Sequence, residues 1–363
     1  MPGTEAPTRR HSRPGAARLW CLLLFAALLL VMTLAITWGP VDMPAGTVWR
    51  IAWSRLLQAL GMQSPPLEGI TPQHQQIVWL IRMPRVLLAA LVGAGLAVVG
   101  TIMQAMVRNP LADPYLLGVS SGASVGAVAV LAFGALASAG MYALTAGAFV
   151  GALAATVAVY LLARSQGRIH ATRLILGGVA IGYVLAGVTS LITLSSGQRD
   201  LANALLTWTL GSLAGTQWEE LGIPAAVLAA GMLWLGLQTR PLNALLAGDE
   251  AAATLGVDTA RLRRALFLAV SLLTGTMVAV SGAIGFVGLI VPHAARMLVG
   301  TDHRRVLPVA ALAGALLLVL VDLVARTAFA PMELPVGVIT SLIGGPFFVW
   351  MLVRQPVQGG RGP

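Results

Sequence analysis

The side chains able to do chemistry are few, and their spacing does not assemble a reaction centre. There are 5 histidines, 13 carboxylates and one cysteine in 363 residues. His170, His293 and His303 lack metal-ligand spacing such as His-Glu-x-x-His, and His11 and His74 fall in loops. Ser120-Ser121-Gly122 offers a hydroxyl with no general base nearby. All 23 basic residues are arginine. Without lysine there is no Walker A loop and no Schiff base, so if this protein works with ATP, another chain holds the nucleotide. The expectation is therefore a chain that is not an enzyme and binds no permanent cofactor. Cys21 lies in an apolar run and reads as a buried structural thiol.

The elements that would position any site are dictated by composition. The chain is 57% hydrophobic and 10% charged, with a mean hydropathy of +0.85, whereas roughly a quarter of residues are charged in soluble proteins. Apolar stretches at 19–37, 79–105, 116–134, 142–163, 173–195, 220–238, 263–283, 284–300, 306–328 and 334–353 are long enough to span a bilayer. The fold class predicted is all-α: a polytopic membrane bundle of about ten helices. One transmembrane domain, 19–353, sits between a cytoplasmic segment 1–18 and a cytoplasmic tail 354–363.

With both termini inside, 17 arginines fall on the cytoplasmic side and 6 on the other, as the positive-inside rule requires. The net charge of +10 is thereby a matter of membrane orientation, and nucleic acid is not an expected partner. In the outer loop 38–78, Trp49, Trp53, Leu56, Leu57 and Leu60 share one helical face and predict a helix lying on the lipid surface. Gly93-x6-Gly100-Thr101-Ile102 and Gly275-x6-Gly282-Ala283-Ile284, 182 residues apart, hint at an inverted repeat, an architecture common among transporters.

Intramembrane charge is expensive and marks function. Here it is nearly absent. Asp322 and Arg326 are spaced to pair at i, i+4. The chain of mid-membrane acids that an ion-driven carrier needs is missing. In the cytoplasmic loop 239–262, Leu242, Leu245 and Leu246 form an apolar stripe, which belongs either to a helix folded back on the membrane or to a docking helix for a soluble partner.

Several segments together resemble the permease subunits of type II ABC importers for ferric siderophores, haem and cobalamin, the FecCD family. They are Arg82-Met83-Pro84-Arg85, Gly100 to Gln104, Asn109-Pro110-Leu111-Ala112-Asp113-Pro114, Leu117 to Ser120, Gly282 to Leu289, Pro292-His293, Thr301-Asp302-His303-Arg304 and Glu333 to Val338. Glu250-Ala251-Ala252-x3-Gly256 is similar to the EAA loop of ABC importers.

The resemblance implies a homodimer in the bacterial inner membrane, two cytoplasmic ATPase subunits that hold ATP, and a periplasmic binding protein. It implies that Arg82, Arg85 and Arg326 receive acids of the binding protein, with snorkelling and the Asp322 pair as competing readings. It places cytoplasmic gates at Asn109 and Leu111 and at Ala171 and Thr172. It makes Leu242, Leu245, Leu246, Gly248, Asp249, Glu250, Ala251, Ala252, Leu255 and Gly256 the ATPase coupling loop. Tyr183, Thr189, Ser190, Thr340 and Ser341 would face the pathway. Haem is the first choice of cargo, then a ferric siderophore, then cobalamin. That order looks to Met103, Met106, Tyr183 and His293 as porphyrin contacts, with plain packing the alternative for the methionines.

Overall fold

The computed structural model describes residues 14–39, 41, 43–165, 168–169 and 171–354, and of residues 14, 165, 168, 169, 171 and 354 only the backbone. Helix α1 (Pro14–Thr37) opens the bundle, and α2 (Ala45–Ala59) follows in the loop expected to be the outer one. α2 turns Val48, Ile51 and Ser54 inward and leaves Trp49 and Trp53 exposed. The expected amphipathic helix is present. The expected segment 1–18 is described only from Pro14, where α1 has already begun, and 355–363 lie outside the described residues.

The longest helical stretch, Pro72–Val107, is built from α3 (Pro72–Gln76), a π-helical segment Ile77–Arg82 and α4 (Met83–Val107). Some 83% of its most apolar window is buried against protein, so α4 is a core helix and not a lipid-facing one. α5 (Val119–Phe133), α6 (Ala143–Ala163) and α7 (Ala171–Ser196) form a second packed group. A two-residue hairpin pairing Arg164 with Ile169 joins α6 to α7.

α8 (Arg199–Thr209) and α9 (Gly222–Leu237) come next, then the short α10 (Thr239–Leu246) and α11 (Asp249–Thr254). α12 (Thr259–Ser281), α13 (Val287–Val299), α14 (His303–Thr327) and α15 (Val336–Arg354) complete the chain. Among the described residues, eight helical stretches are long and apolar enough to cross a membrane, and α5 and α13 are shorter apolar helices. Each of the ten expected spans coincides with one of these ten.

Two boundaries shift for local reasons. The span expected from 116 begins at Val119, because Pro114–Leu117 forms a 3-10 turn whose first amide is bonded by the Asp113 carboxylate. The division near residue 283 is real. Gly282, at φ +68°, ends α12, and α13 begins only after Phe286. The hairpin, the π segment and α8 were not expected. α8 buries only Leu201 and Leu205, too few for hydropathy to register.

Glycine sets how closely α4 is held. A Cβ on Gly100 would strike the backbone of Gly288 in α13, and one on Gly93 the backbone of Gly314 in α14. Small residues permit this backbone approach, which is how membrane helices gain contact when lipid supplies no hydrophobic drive.

Candidate functional site

Three groups of residues stand out: the expected coupling module at one end of α4, a charge network at its other end, and a hydroxyl-lined hollow between α5, α7 and α8.

In the coupling module, α10 and α11 meet at Gly248. Leu242 and Leu245 are fully buried on the bundle, as is Ala252. This corrects the expected exposed stripe: two of its three leucines anchor α10 to its own chain. The outward surface is instead Leu246, Asp249, Glu250, Leu255 and Gly256, with Gly248 and Ala251 half-buried. Asn243 fastens α10 to the start of α14. It donates to Asp302 at 2.7 Å and accepts the His303 amide at 2.9 Å.

Arg263 ties this module to the core. It pairs with Asp249 at 2.7 Å and donates to the Met106 carbonyl at the end of α4. Two residues earlier, Gln104 accepts from Arg296 of α13 and donates to the Gly288 carbonyl at 3.3 Å. A hollow of about 230 Å³ lies between these groups, lined by Gln104, Arg108, Asn109, Leu246, Arg296 and His303. The expected gate residues Asn109 and Leu111 form an Asx turn here, the Leu111 amide donating to the Asn109 side chain at 2.9 Å. The structure thus brings the loop expected to be a gate and the helix expected to couple to one cavity. Thr172, of the second expected gate, is exposed at the start of α7. The Ala171 side chain and His170 lie outside the described residues.

Asp113 adds a titratable group to the gate loop. Burial pushes its carboxyl up to about 6, against the opposing Tyr115 amide bond. The charged form is therefore disfavoured in the fold. Stability held below the unfolded value near 3.8 is lost as pH rises towards 6. Asp113→Asn keeps the acceptor and removes the charge. It should stabilise the protein by about 1–3 kcal/mol at pH 7.5 and by little at pH 4. Thermal unfolding at the two pH values checks this; an equal gap at both would contradict the assignment.

At the other end, Arg82, Arg85 and Arg326 were expected to face a partner. All three are buried. Arg82 donates to the Ile36 and Thr37 carbonyls at 2.7 and 3.0 Å and to Val41 at 2.7 Å. Arg85 holds Asp322 at 2.9 Å and Glu333 at 2.7 Å. Arg326 pairs with Asp322 at 3.2 Å and donates to the Ala35 carbonyl at 2.8 Å. In this conformation they knit α1, α4 and α14 together, and no guanidinium is presented at the surface. The Asp322–Arg326 pair expected from i, i+4 spacing forms.

The pathway expectations divide. Tyr183, Ser190 and Ser341 are exposed, while Thr189 and Thr340 are buried and donate to backbone carbonyls. His293 is half-buried and stands edge-on to Phe347 at 6.0 Å. Met103 and Met106 are each 1% exposed within α4, so the packing alternative holds and neither reaches a pathway. A residue set that spacing did not reveal lies between α5, α7 and α8. There Ser120, Ser121, Ser124, Thr189, Ser190 and Thr193 line a hollow of about 470 Å³.

The FecCD transport family profile matches residues 27–354. The chain is 46% identical over 284 residues to the hemin transport system permease protein HmuU of Yersinia pestis, covering 77% of this chain and 84% of that one. It is 46% identical over 295 residues to the cobalamin import system permease protein BtuC of Halobacterium salinarum, covering 81% and 78%. A solved structure described as an inward-facing metal-chelate type ABC transporter aligns with a TM-score of 0.77 at 29% identity, covering 93% of this chain and 99% of that one.

Proposed function

The chain belongs to the FecCD transport family, and from that premise we propose that it is the haem or iron-chelate permease of an importer driven by separate ATPase subunits. It is a multi-pass membrane protein and an ABC importer permease. The observation that carries the mechanism is the Asp249–Arg263–Met106 link, which joins the coupling helices to the end of the central helix beside the gate loop. Force applied to α11 by an ATPase reaches α4 through this ion pair and hydrogen bond and not through a flexible loop.

In this reading two copies enclose one pathway in the bacterial inner membrane, with both termini cytoplasmic. Among the spanning stretches α7 has the least of its most apolar window buried in its own chain, 11%. Together with α15 it supplies the face for the second copy and the cargo. Tyr183, Ser190 and Ser341 line that face. A periplasmic binding protein docks at the rim above Arg85, where a partner carboxylate can take the place of the half-exposed Glu333. Cobalamin is the second reading of the cargo, because the relative named for cobalamin is as similar as the one named for hemin.

Proteoliposomes holding the chain, its ATPase and its binding protein test this. ATP-dependent uptake of haem, with none in an ATPase-dead control, is the expected result; uptake that persists in that control overturns it. The docking face has its own test. Leu246→Glu with Leu255→Glu should weaken ATPase association at least about tenfold, since docking would then bury two unpaired carboxylates. Leu242 and Leu245 remain to hold the helix, so unchanged thermal stability separates lost docking from lost fold. Unchanged association would remove these two leucines from the interface.

A further inference from the structure

At the boundary where α9 ends and α14 begins, beside α10, lies a hollow of about 500 Å³. Its walls are of two kinds. Met232 and Leu237 of α9 and Leu307 of α14 supply an apolar side, and Arg240 and Arg304 supply the rim. Both arginines are exposed, and no carboxylate pairs with either guanidinium among the described residues. The adjacent acid, Asp302, is already occupied: it accepts from Asn243 at 2.7 Å and from the Arg304 amide at 3.1 Å, and lies 4.0 Å from Arg305. Leu237 is 78% exposed, and Leu233, one turn deeper on α9, 75%. Two exposed guanidinium groups, neither in a salt bridge among the described residues although Arg304 lies in the field of Asp302, thus stand above an apolar track that runs into the bilayer.

We infer that this hollow binds an anionic phospholipid, its phosphodiester between Arg240 and Arg304 and one acyl chain along Leu237 and Leu233. Guanidinium groups bind phosphate oxygens through paired hydrogen bonds, and basic hollows between spanning helices select acidic headgroups. A choline headgroup would bring a third cation beside two arginines and is disfavoured. The site is wired to the coupling module. Arg240 lies on α10, and Asn243 of the same helix bonds Asp302 and His303. A lipid clamped here therefore fixes α10 against α14. The inference uses the membrane boundary and does not depend on the cargo or on the ATPase.

Native mass spectrometry of the full-length chain in detergent tests it, with phosphatidylglycerol and phosphatidylcholine added in equal amounts. The wild type should retain phosphatidylglycerol at least about tenfold in preference. Arg240→Gln with Arg304→Gln should reduce that preference to about twofold or less. Arg261→Gln with Arg264→Gln removes equal charge from exposed positions of α12 and should leave it intact. Equal loss in both pairs would mean unlocalised charge attraction and overturn the site. Displacement of the lipid by millimolar inorganic phosphate would assign the hollow to a free anion and overturn it too. So would a loss of ATPase association in the Arg240/Arg304 variant in detergent free of acidic lipid, which would assign the arginines to a protein interface. Thermal unfolding of both variants in phosphatidylcholine nanodiscs, unchanged from wild type, shows that the fold is intact.

Discussion

Asp322→Ala should lower the stability of the protein by about 3–5 kcal/mol, the usual cost of breaking a buried ion pair from one side. The size follows from what the substitution strands. Asp322 is 1% exposed and neutralises two arginines at once, Arg85 at 2.9 Å and Arg326 at 3.2 Å. Removing it leaves both guanidinium groups buried with only Glu333 nearby, and that contact reaches Arg85 alone. Glu333→Gln is the internal control. Its side chain is 48% exposed, so solvent screens the pair and the loss should stay below about 1 kcal/mol. Adding Arg326→Met to Asp322→Ala should recover part of the loss, because an apolar group of similar length replaces the orphaned charge. Unfolding midpoints of the four proteins in one detergent decide the matter. A near-neutral Asp322→Ala would mean that water reaches the network and that it is not the buried clasp of the outer end.

Gly100→Ala should be nearly as damaging for an unrelated reason. A methyl at Gly100 would occupy the space of the Gly288 backbone, and a backbone cannot swing aside as a side chain can. α13 must move away from α4. That movement opens the Gln104 bonds to the Gly288 and Leu289 carbonyls and to Arg296. Overpacking of this kind costs about 1–3 kcal/mol before any lost hydrogen bonds are counted. The expected readout is a severalfold drop in the monodisperse fraction on size-exclusion chromatography, with a lowered unfolding midpoint. Gly187→Ala in α7 is the matched control. Nothing lies within 4 Å of the added methyl there, and alanine is a better helix former than glycine by up to about 1 kcal/mol. A Gly100→Ala protein as stable as the Gly187→Ala one would show that α4 and α13 pack more loosely than described.

Hydropathy exposed the ten apolar segments because the amount of apolar surface is written directly in the residues. It could not say what covers that surface. Leu242 and Leu245 are as apolar as Leu233, yet the first two are buried in protein and the third is 75% exposed. In a bilayer both fates suit a leucine, so periodicity alone cannot choose between them. The same ambiguity hid the role of Met103, which packs in α4.

Charge was hard to read for a different reason. Arg82 and Arg85 sit near the outer end of a span, where snorkelling or a partner is the natural expectation. Their actual partners are 41 to 46 residues earlier for Arg82, and 237 and 248 residues later for Arg85. Spacing resolves a pair only when both members share an element. Asp322 with Arg326 was legible for that reason; Arg85 with Asp322 was not. The family motifs pointed to an expected gate and coupling loop, while the geometry that joins these two segments, through Arg263 and Asn243, is a matter of tertiary contact.

The burial of α4 has a consequence for how the chain is made. The helix enclosed most completely by the others is among the first to leave the ribosome, and the helices that enclose it, α12, α13 and α14, are encoded some 150 to 240 residues later. At about 5–20 residues per second, α4 waits tens of seconds for its neighbours. Its hydropathy of 2.4 lets lipid stand in for them. Arg85, two residues into the helix, can keep its guanidinium at the headgroups until Asp322 is synthesised. The core of this protein is thus composed to be stable twice, first in lipid by itself and later in protein, and nascent α4 is the core segment that an insertase or chaperone would hold until its neighbours arrive.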